Sequence, residues 1–177
     1  NIYCHYNVFP KFNCIMEKEL NSLSLQVVNL LKENKLTLST AESCTGGLIA
    51  NYITNHSGAS NVYTGGFVTY SNKAKTELLN VNANIIKKYG AVSKETVLEM
   101  SKKALLITNS DISIAVSGIA GPNGGTVEKP VGLVHHSISR KNYTEHIEII
   151  YKGDRQHVRQ QTAITCFNML IKEFKKS

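Results

Sequence analysis

At 177 residues the chain falls within the usual size of one domain, and 42% hydrophobic against 19% charged residues allow a core and exclude a disordered composition. The net charge of +7 comes from basic residues dispersed along the chain, with small concentrations only near the termini, and neither an aromatic RNA-reading strand nor a basic recognition helix accompanies them. No apolar run approaches the roughly 18 residues that cross a bilayer, and residues 1–15 lack a secretory signal's apolar centre, so a cytoplasmic protein is expected, with neither nucleic acid nor membrane as a partner.

Residues 1–15 (NIYCHYNVFPKFNCI) are aromatic, rich in Asn and without period. They read as a poorly ordered N-terminal extension ahead of a single domain over 16–177. From Met16, the residues Leu20, Leu23, Val27, Leu30 and Leu31 recur at helical spacing. LTLSTA (36–41) is a short strand, and LIANYITNH (48–56) a helix after the turn Glu42-Ser43-Cys44-Thr45-Gly46-Gly47. NVYTGGFVTYS (61–71) is rich in β-formers, and its Gly65-Gly66 pair predicts a bulge or a close backbone approach. Two short helices follow, in NKAKTELLN and NANIIKKYG, and then a longer one capped by Ser93.

The apolar run DISIAVSG (111–118) is a buried strand leading into the glycine-rich loop GIAGPNGGTVEKP. VGLVHHSIS and YTEHIEIIY form a hairpin through Arg140-Lys141-Asn142, and Gly153-Asp154 opens the last helix. Strands alternating with helices and closing on a hairpin predict an α/β fold, a three-layer α/β/α sandwich with a mixed, mostly parallel central sheet.

Three loops, 42–47, 118–130 and 152–155, follow strands and open helices or are rich in glycine. In open α/β sheets such loops gather where ligands bind, and their free N–H groups suit an anion such as phosphate. In the 42–47 turn, Ser43 stands where a strand becomes a helix, and the amides behind it can form an oxyanion hole. The same spacing also fits Ser43 or Thr45 as a plain helix cap. Cys44 is a competing nucleophile, but no histidine is near in sequence; His56 reads as a surface cap and His135-His136 as strand residues. The four cysteines, Cys4, Cys14, Cys44 and Cys166, form no CxxC pair, which fits reduced thiols rather than a zinc or redox motif.

A serine without histidine needs another base. Tyr70 and Lys75 offer one if burial or a second cation, Lys129 or Arg155, depresses the lysine. Lys75 also reads as an exposed helix lysine beside Glu77.

Five segments in this order, TAESCTGG (40–47), GGFVTYSNKAK (65–75), YGAVSKE (89–95), VSGIAGPNGGTVEKPVG (116–132) and GDRQHVRQQTA (153–163), resemble the CinA carboxy-terminal domain family. The likeness covers about residues 17–175 and includes the stand-alone nicotinamide-nucleotide amidohydrolases. It implies hydrolysis of the linear carboxamide of nicotinamide mononucleotide to nicotinate mononucleotide and ammonia, without metal or other cofactor. On matching positions it implies Ser43 as nucleophile and Tyr70 and Lys75 as the proton-transfer pair. Around the substrate it places Glu42, Cys44, Thr45, Gly46, Gly47, Asn72, Gly121, Gly124, Gly125, Thr126, Lys129 and Arg155. The expected partners are a small-molecule nucleotide substrate and further copies of the chain, as a dimer or higher homo-oligomer. The readings that compete are another amidase for a phosphorylated amide, a non-catalytic nucleotide-binding module associated with competence or damage, and a nucleic-acid binder.

Overall fold

The computed structural model describes the backbone of residues 10–175 and the side chains of residues 15–175. The chain runs α1 (Pro10–Asn34), β1 (Leu38–Glu42), α2 (Leu48–Thr54), a single 3-10 turn (Ala59–Asn61), β2 (Tyr63–Val68), α3 (Asn72–Glu77) and α4 (Ala83–Tyr89). It continues through α5 (Lys94–Thr108), β3 (Ile112–Gly118), β4 (Leu133–Arg140), β5 (Tyr143–Ile150) and α6 (Arg155–Phe174). Helix α1 begins six residues before the expected Met16. Pro10 stands at the first helical position, where its missing N–H costs nothing and its fixed φ already suits a helix. The reading of residues 1–15 as a poorly ordered extension meets helix α1 at residues 10–15, and for residues 1–9 it lies outside the described residues.

The five strands form one sheet in the order β2-β1-β3-β4-β5. β1 pairs parallel with β2 and β3, while β4 is antiparallel to both β3 and β5. β4 alone therefore runs against the other four, in a mixed sheet whose centre is parallel. Lys141 and Asn142 make the two-residue turn between β4 and β5.

Helices α1, α2 and α6 cover one face. Their apolar stripes (Leu20, Val27, Val28 and Leu31 of α1, Ile49 and Ile53 of α2, Phe167 and Leu170 of α6) share a core with Ile112, Ile114 and Val116. On the other face α5 packs through Val97, Met100 and Ala104 onto Ala41 and Ala115. That interface is largely hydroxylic farther along. Ser101 Oγ lies 2.8 Å from Ser137 Oγ and 2.7 Å from Ser139 Oγ, and Ser113 Oγ donates to Ser101 O. Buried hydroxyls paired in this way avoid the desolvation cost of unmatched polar groups.

The Gly65-Gly66 pair does both things its sequence suggested. The ladder slips between Leu38 and Ser39, so Leu38 pairs Tyr63 while Ser39 pairs Gly65. Tyr63 and Thr40 then join hydroxyls at 2.7 Å across the space where a Cβ of residue 66 would sit. Only glycine fits beneath that bond.

The chain leaves β1 for α2 on one face and leaves β2 for α3 to α5 on the other. Connections that part in this way open a crevice at the carboxyl ends of the strands. Ser43 lies there.

Candidate active site

Because side chains alternate along a strand, Glu42 faces α2 and Ser43 faces the α3 side. This sidedness separates the turn's structural chemistry from its reactive chemistry. On the α2 side the Glu42 carboxylate is 1% exposed and accepts four hydrogen bonds. These come from Thr45 Oγ1 (2.6 Å), Gly47 N (3.0 Å) and Ile49 N (3.1 Å) to one oxygen, and from Ala50 N (2.9 Å) to the other. They satisfy the first-turn amides of α2, whose N-cap, Gly47, has φ +92° and makes no side-chain cap. Neither Ser43 nor Thr45 caps this helix. Glu42 and Thr45 are thus engaged in building the turn, not free to hold a substrate, and a phosphate finds no vacant donors at the start of α2.

On the α3 side, Lys75 Nζ lies 2.9 Å from Ser43 Oγ and 2.7 Å from Thr69 O. The lysine is 1% exposed and the serine 7%. Lys75 reaches the serine because α3 starts immediately after β2, with Ser71 as its N-cap accepting from Ala74 N. One turn later position 75 points back under the sheet, and the exposed Lys73, not Lys75, pairs with Glu77 at 3.8 Å.

Burial pushes the Lys75 amine down to about 8, against a small opposing pull from Cys44. Lys129 and Arg155 play no part in that fall, contrary to the sequence expectation. The Lys129 ammonium is tied to Tyr89 O (2.8 Å) and Val92 O (2.7 Å), between α4 and α5.

The Cys44 thiol, 5% exposed, faces the α2–α6 core, where burial raises it to about 12, so it is no rival nucleophile. His56 also departs from expectation, its Nε2 lying 2.7 Å from Ser24 Oγ and fastening α2's end to α1.

Of the turn's amides, Ser43 N donates to Val116 O, Gly46 N to Ser43 O and Gly47 N to Glu42. Those of Cys44 and Thr45 stand outside this network. Gly46 (φ +60°) lies on the exposed rim of the turn.

Tyr70 is not against Ser43 or Lys75. It is 58% exposed and its hydroxyl accepts from Arg155 Nη2 at 2.5 Å, while Arg155 Nη1 donates to Gly121 O at 2.9 Å. One guanidinium therefore straps the loop after β2 to the glycine-rich loop. Gly124, Gly125 and Thr126 lie exposed on that second loop, where Thr126 Oγ1 accepts from Lys129 N. Asn72 is exposed at the start of α3. Sequence reasoning did not single out Arg159, which donates to Thr45 O at 2.7 Å and braces the 42–47 turn from α6. Its position four residues after Arg155, on the same helix face, is the signal that would have found it.

Comparison with known proteins adds to this geometry. Residues 20–174 match the family model described as the CinA C-terminal domain. A CinA-like protein of Thermotoga neapolitana is 45% identical over 150 residues, which is 85% of this chain and 36% of the relative. The chain thus spans about a third of the length of the curated relatives it matches. The crystal structure of the competence/damage inducible protein CihA from Agrobacterium tumefaciens superposes with a TM-score of 0.85 at 40% identity, covering 94% of this chain and 98% of that one. A CinA superfamily protein from Klebsiella pneumoniae gives 0.86 at 32% identity, covering 89% and 99%. Among the described residues no helix is long and apolar enough to cross a membrane.

Proposed function

The chain belongs to the CinA C-terminal domain family, and from that footing we propose that it hydrolyses the carboxamide of nicotinamide mononucleotide, giving nicotinate mononucleotide and ammonia. The observation that carries this reading is a buried lysine, depressed to about 8, with its amine 2.9 Å from the hydroxyl of Ser43. An amine so placed is a general base available near neutral pH, since about a tenth of molecules carry it unprotonated at pH 7. A hydroxyl at a strand-to-helix turn is the matching nucleophile.

In the first half-reaction Ser43 Oγ bonds to the amide carbon, and its proton passes to Lys75 Nζ. The carbonyl π pair moves onto oxygen, where a backbone N–H of the 43–47 turn would stabilise it. When the tetrahedral species collapses, the C–N bond breaks and Lys75 returns the proton to the departing nitrogen, releasing ammonia. Water then attacks the ester, giving up one proton to Lys75, which passes it to Ser43 Oγ as the acyl–oxygen bond breaks, and the acid released loses its remaining proton to solvent. Arg155, at the mouth of the site with Tyr70 and Gly121, is the cation placed to meet the nucleotide's phosphate, so that a remote group positions the amide.

The test is ammonia release from nicotinamide mononucleotide, its riboside and free nicotinamide, by wild type and Ser43→Ala. Turnover of the nucleotide that the variant lacks is expected. Equal trace turnover by both would leave a non-catalytic nucleotide-binding module, and little preference for the nucleotide would point to another amide.

A further inference from the structure

Thr69 is the residue immediately after β2, and it has a hydroxyl with nothing to do. The residue is fully buried, and Oγ1 has no hydrogen-bond partner. Such orphans are uncommon in well-packed interiors and call for an explanation. The β1–β2 ladder pairs Ala41 with Phe67 and Glu42 with Val68, and Thr69 N continues it by donating to Glu42 O at 2.8 Å. One step further, the same register sets Thr69 beside Ser43, at the strand spacing of about 4.8 Å and on the same face. The β1–β3 ladder likewise brings Ser117 alongside Ser43 from the other side, but its hydroxyl is committed to Ala91 O at 2.7 Å. The unpartnered hydroxyl thus stands beside the nucleophile, on the residue whose carbonyl already holds Lys75 Nζ.

A neutral amine that accepts the Ser43 proton has two N–H donors of its own, and the ammonium it becomes has three. Thr69 O takes one. We propose that Thr69 Oγ1 takes another when Lys75 is protonated, so that one threonine holds the amine through its carbonyl in either state and the ammonium through its hydroxyl as well. This makes Thr69 a positioning residue that sets the base strength of Lys75. The inference rests on the Ser43–Lys75 reading but not on which amide is the substrate.

The ionisable groups around Lys75 are few. The Cys44 thiol, in the turn after β1, acts on it only at a distance, since that side chain packs into the α2–α6 core. On its own helix, Lys73 and Glu77 pair with each other at the surface. Arg155 and Tyr70 engage each other beyond the loop, and Glu42 is turned to the opposite face. None of them would mask a change made at Thr69.

The experiment is the titration of Lys75, read from the 13Cε shift of labelled lysine in wild type, Thr69→Val and Thr69→Ser, with thermal melts of the same proteins. Valine keeps the branched shape and removes only the hydroxyl. The Lys75 midpoint is expected to fall by about one pH unit in Thr69→Val, a tenfold loss of proton affinity, and to recover in Thr69→Ser, while the melting temperature stays level or rises because an orphan has been removed. An unchanged midpoint in Thr69→Val would overturn the proposal and leave the hydroxyl a bystander. The titration needs no substrate, so failure of the ammonia-release assay and failure of this inference are read separately. If Thr69→Val does not fold, Thr69→Ala carries the same comparison.

Discussion

Lys75 and Ser43 are 32 residues apart in sequence, yet the amine of one lies 2.9 Å from the hydroxyl of the other, with almost no solvent between them and the protein interior. The contact joins two elements that leave adjacent strands in opposite directions. Its chemistry depends on the lysine being able to shed its proton near neutral pH.

The rate of amide hydrolysis should therefore follow the unprotonated fraction of Lys75. kcat/KM is expected to climb about tenfold per pH unit below about 8 and to level off above it. Lys75→Ala should lower kcat by about 10²–10⁴-fold, the usual worth of a general base, and abolish that limb. A pH–rate profile of both proteins from pH 6 to pH 9.5 checks this, and a wild-type limb centred far from 8 would count against Lys75 as the base.

The same depression has a consequence for stability. Between about 8 and the ordinary 10.5, the unfolded chain binds a proton at Lys75 that the folded chain does not. Stability therefore rises with pH through that window by about 1.4 kcal/mol per unit, and the burden on the fold is fully present below it. Lys75→Met fills the same space without the charge. At pH 7 it should be more stable than wild type by about 1–3 kcal/mol, after its two lost hydrogen bonds are allowed for. The gap should close as pH approaches 10.5. Urea denaturation of the pair across that range reads the effect directly.

Glu42 gives the opposite expectation. Glu42→Ala would strand Thr45 Oγ1 and the amides of Gly47, Ile49 and Ala50 in a buried turn. Each buried group left unmatched costs about 1–3 kcal/mol, so a loss of at least about 3 kcal/mol in denaturant stability is expected. A variant within 0.5 kcal/mol of wild type, about the scatter of surface substitutions, would show that the carboxylate is dispensable to the turn.

Tyr70→Phe and Arg155→Ala release the strap between the loop after β2 and the glycine-rich loop. Both side chains are exposed at the site's rim, so melting temperatures should hardly move. Hydrogen exchange should quicken in residues 69–72 and 119–128. Arg155→Ala should raise KM for the mononucleotide several-fold more than for the riboside, which has no phosphate. Equal effects on the two substrates would remove Arg155 from phosphate recognition.

The order of elements was legible in the sequence because each carries its own period. The buried run 112–118, the hairpin around Lys141-Asn142 and the Ser93 cap all fall where local chemistry puts them. The site was legible only in part. Ser43 announces itself by its turn, but nothing local distinguishes Lys75 from Lys73 two residues earlier. Which of them is buried depends on how α3 meets the sheet, and that is a tertiary fact. Resemblance to a family supplied the choice where spacing could not. Glu42 reads as a substrate contact for a similar reason, since a carboxylate beside Ser43 looks functional until its four partners are seen to be the Thr45 hydroxyl and three amides at the start of the next helix. Thr69 left no trace at all, being one β-former in a β-rich run.

The alternation that turns Glu42 toward α2 and Ser43 toward α3 also limits how this protein can evolve. Losing or gaining one residue within β1 would exchange the two, presenting a carboxylate to the lysine and a hydroxyl to the unsatisfied helix. Insertions should accordingly be absent from residues 38–43 in any functional variant, yet better tolerated at the exposed stretch Pro122–Asn123, ahead of the turn that Thr126 and Lys129 close. Laboratory evolution has room to work in that second stretch and almost none in the first.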